Sequence, residues 1–253
     1  MPTITGRRID LIDFENVSIS AIDVAFSLGR QGRYLGHLKK FYSVAEHTVR
    51  MVRLLRANGY KNEVQRHGLF HDGPETFTGD IVRPIKTMEG IKLHLDSIEA
   101  RLDFLFANRF RLVKSSKVVS NGRCKVTIHD AIKHYDSAMI ILEAEALYIN
   151  SKEIHTYREG SDSKYDDVMN SAEARKMLTV ERGWWGWSHE VATMAWMAEY
   201  NRLYFNANTA SKSINDAGRV AGCFAMANMA KMIDIMTTGC IGHENFEEEF
   251  NNE

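Results

Sequence analysis

Apolar residues along this chain recur at three- and four-residue steps, the helical period, and alternation with period two never persists long enough to mark a strand. Ser20 is placed to cap a helix over residues 21–28, with Ile22, Ala25 and Phe26 on one face. Ser43-Val44-Ala45-Glu46 has the form of a capping box and opens a helix that stops at Gly59. A helix over 62–71 follows, then a long amphipathic one from Pro84 to about residue 108, with Ile85, Met88, Leu95, Ile98, Leu102 and Leu105 near helical spacing. Residues 111–125, basic and holding Ser and Gly, predict a surface connection, after which 126–150 return to helix. A polar, mobile stretch is expected at 151–167, helices at 173–178, 188–205 and 214–236, and a disordered acidic tail from Glu244. The pattern predicts an all-α protein with its core over residues 1–150 and a C-terminal helical extension over 151–253 packed on the same domain.

Composition narrows the class of function. Hydrophobic residues make up 44% and charged residues 26%, enough for a sizeable core. The 32 Lys and Arg nearly cancel the 33 Asp and Glu, which argues against a protein that coats a nucleic acid polymer or a membrane surface. Cys124, Cys223 and Cys240 are far apart with no CxxC spacing, and read as reduced thiols of a cytoplasmic protein. No apolar run approaches membrane-spanning length, and no signal peptide is visible.

The chemistry concentrates in one stretch, His71-Asp72-Gly73-Pro74-Glu75-Thr76-Phe77-Thr78-Gly79-Asp80. Imidazole and carboxylate suit first-row divalent ions. Adjacent helical residues point about 100° apart, so His71 and Asp72 share an ion only if other elements close the shell. His47 and Asp136, on two further predicted helices, complete a set of two imidazoles and two carboxylates. Glu143, two turns beyond Asp136, either orients a ligand or Arg33 from behind or forms a surface ion pair. His67 reads as a surface or packing residue, because position 68 is Gly and no HExxH pattern forms. Trp184-Trp185-Gly186-Trp187 is a lid, an oligomer contact or plain packing of the C-terminal helices.

These residues together resemble the HD-domain metal-dependent phosphohydrolases, in the branch of 5′-deoxynucleotidases and phage-type dATP triphosphohydrolases. The likeness is carried by Tyr42-Ser43-Val44-Ala45-Glu46-His47, by His71-Asp72-x-x-Glu75, by Gly79-Asp80-Ile81-x-x-Pro84-Ile85-Lys86 and by Tyr135-Asp136. Upstream, Ala21-Ile22-Asp23-Val24-Ala25-x-Ser27-Leu28 and Arg33-Tyr34-x-Gly36-His37 fit the same branch, so the likeness spans roughly residues 18–150. The resemblance implies an HD-domain helical bundle with His47, His71, Asp72 and Asp136 on a divalent ion (Mn, Co, Zn or Mg), and further Mg on the substrate phosphates. It implies Glu75 and Asp80 as the catalytic carboxylates, Arg33 and Lys86 on phosphate, Tyr34 against the nucleoside and His37 near substrate. The expected reaction is hydrolysis of the 5′-phosphoester of a deoxynucleotide, dATP to deoxyadenosine plus triphosphate. The alternatives are a 5′-deoxynucleotidase acting on monophosphates and a nucleotide-binding sensor without turnover. Relatives of this branch are usually oligomers, so a homo-oligomer is expected, in a cytoplasmic setting that a phage-encoded protein would share in its host.

Overall fold

The computed structural model describes residues 2–7, 19–147 and 162–205 of the chain. Residues Met1–Ala207 form one compact unit and Asn208–Glu253 a second. The predicted helix at 214–236 and the acidic tail lie outside the described residues, as does most of the polar stretch at 151–167. The architecture is mostly helical. Its elements are α1 (Ala21–Arg30), α2 (Val44–Ala57), α3 (Asn62–Phe70), α4 (Glu75–Thr78), α5 (Arg83–Lys86), α6 (Ile91–Arg109), α7 (Ile128–Leu147), α8 (Asp166–Met169), α9 (Ala172–Thr179) and α10 (His189–Tyr204). Among the described residues, no helix is long and apolar enough to cross a membrane.

Helix α2 is the axle of the unit. It packs against α1, α3, α7, α9 and α10, and every residue from Tyr42 to Val52 is buried. Its start is set by Ser43, whose hydroxyl accepts the Glu46 amide hydrogen at 3.1 Å. The second half of the expected capping box is absent. Glu46 turns inward, pairs with Arg50 at 2.8 Å, and accepts the backbone N–H groups of Gly186 (3.2 Å) and Trp187 (2.7 Å). A tertiary partner with two amides to satisfy outcompetes the local cap. Arg50 lies 4.0 Å over the Trp185 ring and 4.8 Å over that of Trp187. The tryptophan stretch therefore seals the back of α2, which is the packing role among its three readings.

Close approach of α3 to α2 explains Gly68, where a Cβ would meet the Leu55 side chain at 2.6 Å. Phe70, at the end of α3, is ringed by Phe106, Phe110, Trp196, Tyr200 and Tyr204, so α6 and α10 brace the same spot. Residues 162–205 thus contribute core to the unit that holds residues 19–147.

Two predicted elements differ. The long helix from Pro84 is broken at Gly90, whose φ of 87° no other residue adopts as readily, leaving the short α5 and the longer α6. The basic connection at 111–125 carries a strand, β1 (Val118–Ser120), paired antiparallel with β2 (Lys125–Thr127). Both strands are three residues long, too short for alternation to register in sequence.

The buried Glu46–Arg50 pair yields the first prediction. Arg50→Ala leaves the buried Glu46 carboxylate without its cationic partner and Trp184 O without its donor, and is expected to cost about 3–5 kcal/mol. Urea unfolding monitored by tryptophan fluorescence measures it, and a cost well under 1 kcal/mol would contradict the assignment.

Candidate metal and hydrolytic site

Three helices deliver the site. His47 comes from the first turn of α2, His71 caps the end of α3, and Asp136 sits midway along α7. Asp72 lies in the turn between α3 and α4, where the Gly73 amide bonds back to Phe70 O at 2.8 Å. That turn presses on α6 so tightly that a Cβ at Gly73 would meet the Phe106 ring at 2.6 Å. His71 keeps helical backbone (φ −62°, ψ −34°) at the end of α3, and the side chains of His71 and Asp72 still meet, His71 Nε2 and Asp72 Oδ2 being 3.2 Å apart.

The four predicted ligands converge. His47 Nε2 is 3.2 Å from His71 Nε2 and 3.2 Å from Asp136 Oδ1. His71 Nε2 is 3.7 Å from Asp136 Oδ1, and Asp72 Oδ2 is 3.7 Å from His47 Nε2. Ligand atoms on a tetrahedral ion with bonds of about 2.1 Å stand about 3.4 Å apart, which these edges bracket. The ligand atoms of His47, His71 and Asp136 all lie within 4.8 Å of one another; Asp72 reaches the two imidazoles from the side on which Arg33 contacts it.

The tautomers follow from the partners. Glu143 accepts from His47 Nδ1 at 2.5 Å, and Gly68 O accepts from His71 Nδ1 at 2.9 Å. A carbonyl and an ionised carboxylate can only accept, so both Nδ1 atoms carry hydrogen, and in the neutral rings both Nε2 lone pairs face the same space. Burial opposes ionisation of Asp72 and Asp136, but the facing imidazoles outweigh it, and both carboxyls lie well below their usual range. Burial likewise opposes charging of His71, yet Asp72 and Asp136 push its affinity for a proton well above normal. With the proton that Asp72 and Asp136 favour on His71 given up, two lone pairs and two carboxylates would make a site of charge −2, which suits a divalent cation.

Glu143 is the hub behind the cage. Fully buried, it accepts from His47, from the Tyr42 hydroxyl at 2.9 Å and from the Tyr34 hydroxyl in a short bond, and lies 3.7 Å from Arg33 Nε. Burial raises its pKa, but Arg33 and His47 more than reverse this, and it stays ionised. Of its two readings, the orienting one holds. Residues 31–43 form a loop pinned at its base by Arg33 N to Tyr42 O (2.8 Å) and Val44 N to Gln31 O (3.0 Å). At its turn Tyr34 (φ 58°) and Leu35 (φ 53°) both adopt left-handed backbone, which is uncommon without glycine. The turn aims Arg33 at Asp72 Oδ2 (3.2 Å) and Tyr34 at Glu143.

Glu75 opens α4 and is buried; its Oε2 finds no hydrogen-bond partner among the described residues, and Oε1 is 3.5 Å from Lys86 Nζ. Burial first, then Asp72 and Asp80, raise its pKa to about 8 against the pull of Lys86 and Arg33. Asp80 follows the left-handed Gly79 and lies in the same field: burial and Asp72 raise it, Arg33 and Lys86 draw it down, and the net shift is upward. Lys86 is itself held by Glu99 of α6 at 3.2 Å.

Of the ten residues singled out from the sequence, His37 is not drawn into this cluster. It is exposed, and its amide closes the turn onto Tyr34 O at 3.0 Å. Tyr34 does reach the site, with its hydroxyl committed to Glu143. Sequence reasoning missed three participants: Tyr42; Glu99, hidden by the unforeseen break at Gly90; and Gln31, whose amide donates to Glu75 O at 3.0 Å. Only Tyr42, adjoining the capping Ser43, carried a signal. His67 donates to or accepts nothing in the cage; its Nε2 meets Val113 O at 2.7 Å.

No protein-family model matches the chain. It is 36% identical over 148 residues to the uncharacterized protein RCAP_rcc00048 of Rhodobacter capsulatus, covering 57% of this chain and 70% of that protein. The chain belongs to the family of that protein. A second similarity, 34% over 88 residues, links it to the uncharacterized protein YfdR of Escherichia coli K12, over 34% of this chain and 46% of YfdR.

Because Glu143 fixes the His47 tautomer, Glu143→Gln is expected to weaken divalent-ion binding by about 10–100-fold. Isothermal titration with Mn²⁺ or Zn²⁺ measures this. Unchanged affinity would show that Glu143 does not orient the cage.

Proposed function

We propose that this protein is an HD-type metal-dependent phosphohydrolase that cleaves the 5′-phosphoester of deoxynucleotides, releasing triphosphate from dATP. The observation that carries the reading is the gathering of His47, His71 and Asp136, with Asp72 within 3.7 Å of both imidazoles, beside a buried and partly unpartnered Glu75. A divalent ion held there supplies Lewis-acid activation of water and of a phosphate oxygen. Arg33 and Lys86 face the same space with cationic groups suited to phosphate oxygens. Glu75, protonated at neutral pH because of its raised pKa, has a proton to give to the departing 5′ oxygen as the P–O bond breaks. Asp80 shares that proton-handling region. A cytoplasmic setting, cellular or phage-infected, fits the same reading.

One observation favours a second reading, in which the substrate is a deoxynucleoside monophosphate. Arg33 is balanced by Asp72 and Glu143, and Lys86 by Glu75 and Glu99. Lys40 donates to Gly183 O and Arg30 lies over Phe26, so nearby bases are turned to other tasks. Little positive charge is left over for two further phosphates.

The test is a panel of dNTPs and dNMPs with chelator-stripped protein reloaded with Mn²⁺, Co²⁺, Zn²⁺ or Mg²⁺, scored for nucleoside, phosphate and triphosphate. Triphosphate and deoxyadenosine from dATP support the first reading, and nucleoside only from monophosphates the second. Nucleotide binding without turnover in any metal would identify a sensor and overturn both. Glu75→Gln is expected to lower turnover about 10²–10⁴-fold while nucleotide still binds.

Glu75 also makes a stability prediction. Its carboxyl goes from an ordinary 4.5 to about 8 on folding, so the folded state resists its ionisation. Stability is unaffected below the lower value, falls as pH rises through the window, and stays reduced above about 8. Glu75→Gln removes that charge. Thermal melting of the variant should match the parent near pH 4.5 and exceed it increasingly up to pH 8; a pH-independent difference would contradict the burial argument.

A further inference from the structure

Helix α6 meets the unit's core through Leu95, Leu102 and Phe106. On its opposite side Leu93, Ser97, Ala100 and Phe104 follow one another at steps of four, three and four residues, and all are exposed. Leu93 is 76% and Phe104 68% exposed, a large apolar outlay for a solvated face. With the half-buried Ala107, these residues occupy the two seam positions of a heptad: Leu93, Ala100 and Ala107 at one, Ser97 and Phe104 at the other. Ser97, Ala100 and Ala107 are small enough to let a second helix come close.

Charge decides what the seam fits. Asp96 and Asp103 line one flank, and His94, Arg101 and Asn108 line the other. In a parallel helix pair, the first flank of one helix faces the second flank of its neighbour five residues further on. Asp96 then meets the partner's Arg101, and Asp103 meets the partner's Asn108. An antiparallel pair instead sets like flanks together, acid against acid and base against base. Asp96 also contacts Lys92 on its own helix, and a carboxylate has acceptor capacity for both cations.

We propose that α6 is a self-association surface, on which a second copy of this chain docks as a parallel two-fold helix pair sealed by Leu93 and Phe104 and keyed by Asp96 with the partner's Arg101. At about 1.5 Å per residue, the stretch from Leu93 to Ala107 offers a seam of about 21 Å. The same helix carries Glu99, which holds Lys86, so pairing would also steady one wall of the site. The proposal is independent of the reaction, since its test reads association alone.

Sedimentation velocity of the full chain over a concentration series should show a monomer–dimer equilibrium. Leu93→Lys with Phe104→Lys, both at solvated positions, should weaken it at least tenfold without loss of helicity. Asp96→Arg and Arg101→Asp should each weaken it, and the double exchange should restore it. In a background with Cys124, Cys223 and Cys240 changed to Ser, Ala100→Cys alone should form an intermolecular disulfide on mild oxidation, because a parallel pair sets residue 100 against itself. A monomer at every concentration, or a dimer indifferent to Leu93 and Phe104, would overturn the proposal. A disulfide that forms only when Ser97→Cys is combined with Ala100→Cys would show an antiparallel pair and overturn it equally.

Discussion

Two imidazole nitrogens, His47 Nε2 and His71 Nε2, held 3.2 Å apart beside Asp72 and Asp136 impose the constraint on which the site depends. The arrangement is set from behind: Glu143 and Gly68 O accept from the two Nδ1 atoms, so both Nε2 atoms face inward. Holding the two rings that way requires a rigid frame. That frame is the all-round burial of α2 and the aromatic stack under Phe70, at the root of His71. Helix α7 contributes twice, because Asp136 and Glu143 are seven residues and almost two full turns apart. One face of one helix therefore supplies both a cage member and the group that orients another.

The parts of this arrangement legible in sequence were those with local signatures. Ser20 and Ser43 cap α1 and α2 as their positions relative to apolar runs suggest. The four cage residues stood out because His and Asp clustered on predicted helices whose faces also carried the core. Information that lives between distant segments was not legible. Glu46 has the local environment of a capping box, but its side chain answers to amides 140 and 141 residues away. The two-strand hairpin and the break at Gly90 were lost for a different reason: each is a few residues of backbone geometry inside a stretch whose side-chain pattern reads smoothly through it.

The site's electrostatics work against the stability of the fold. Arg33, Tyr42, Glu75 and Glu143 are polar groups withdrawn from water, and each raises the free energy of the folded state unless paired. Most are paired with one another, but Glu75 Oε2 and Arg33 Nε each lack a hydrogen bond among the described residues.

The seal formed by residues 184–187 has a bearing on how this protein can be handled. The sequence likeness to a hydrolase core ends near residue 150, which makes that point an inviting place to truncate. Yet the two amides that satisfy Glu46, the indoles that shield Arg50, and α10 packed against α1, α2 and α3 all come from beyond it. A shortened chain would hydrate the very helix that presents His47. Any fragment, fusion or graft has to carry the chain at least through Tyr204, because the wall behind His47 is built from residues 184–204.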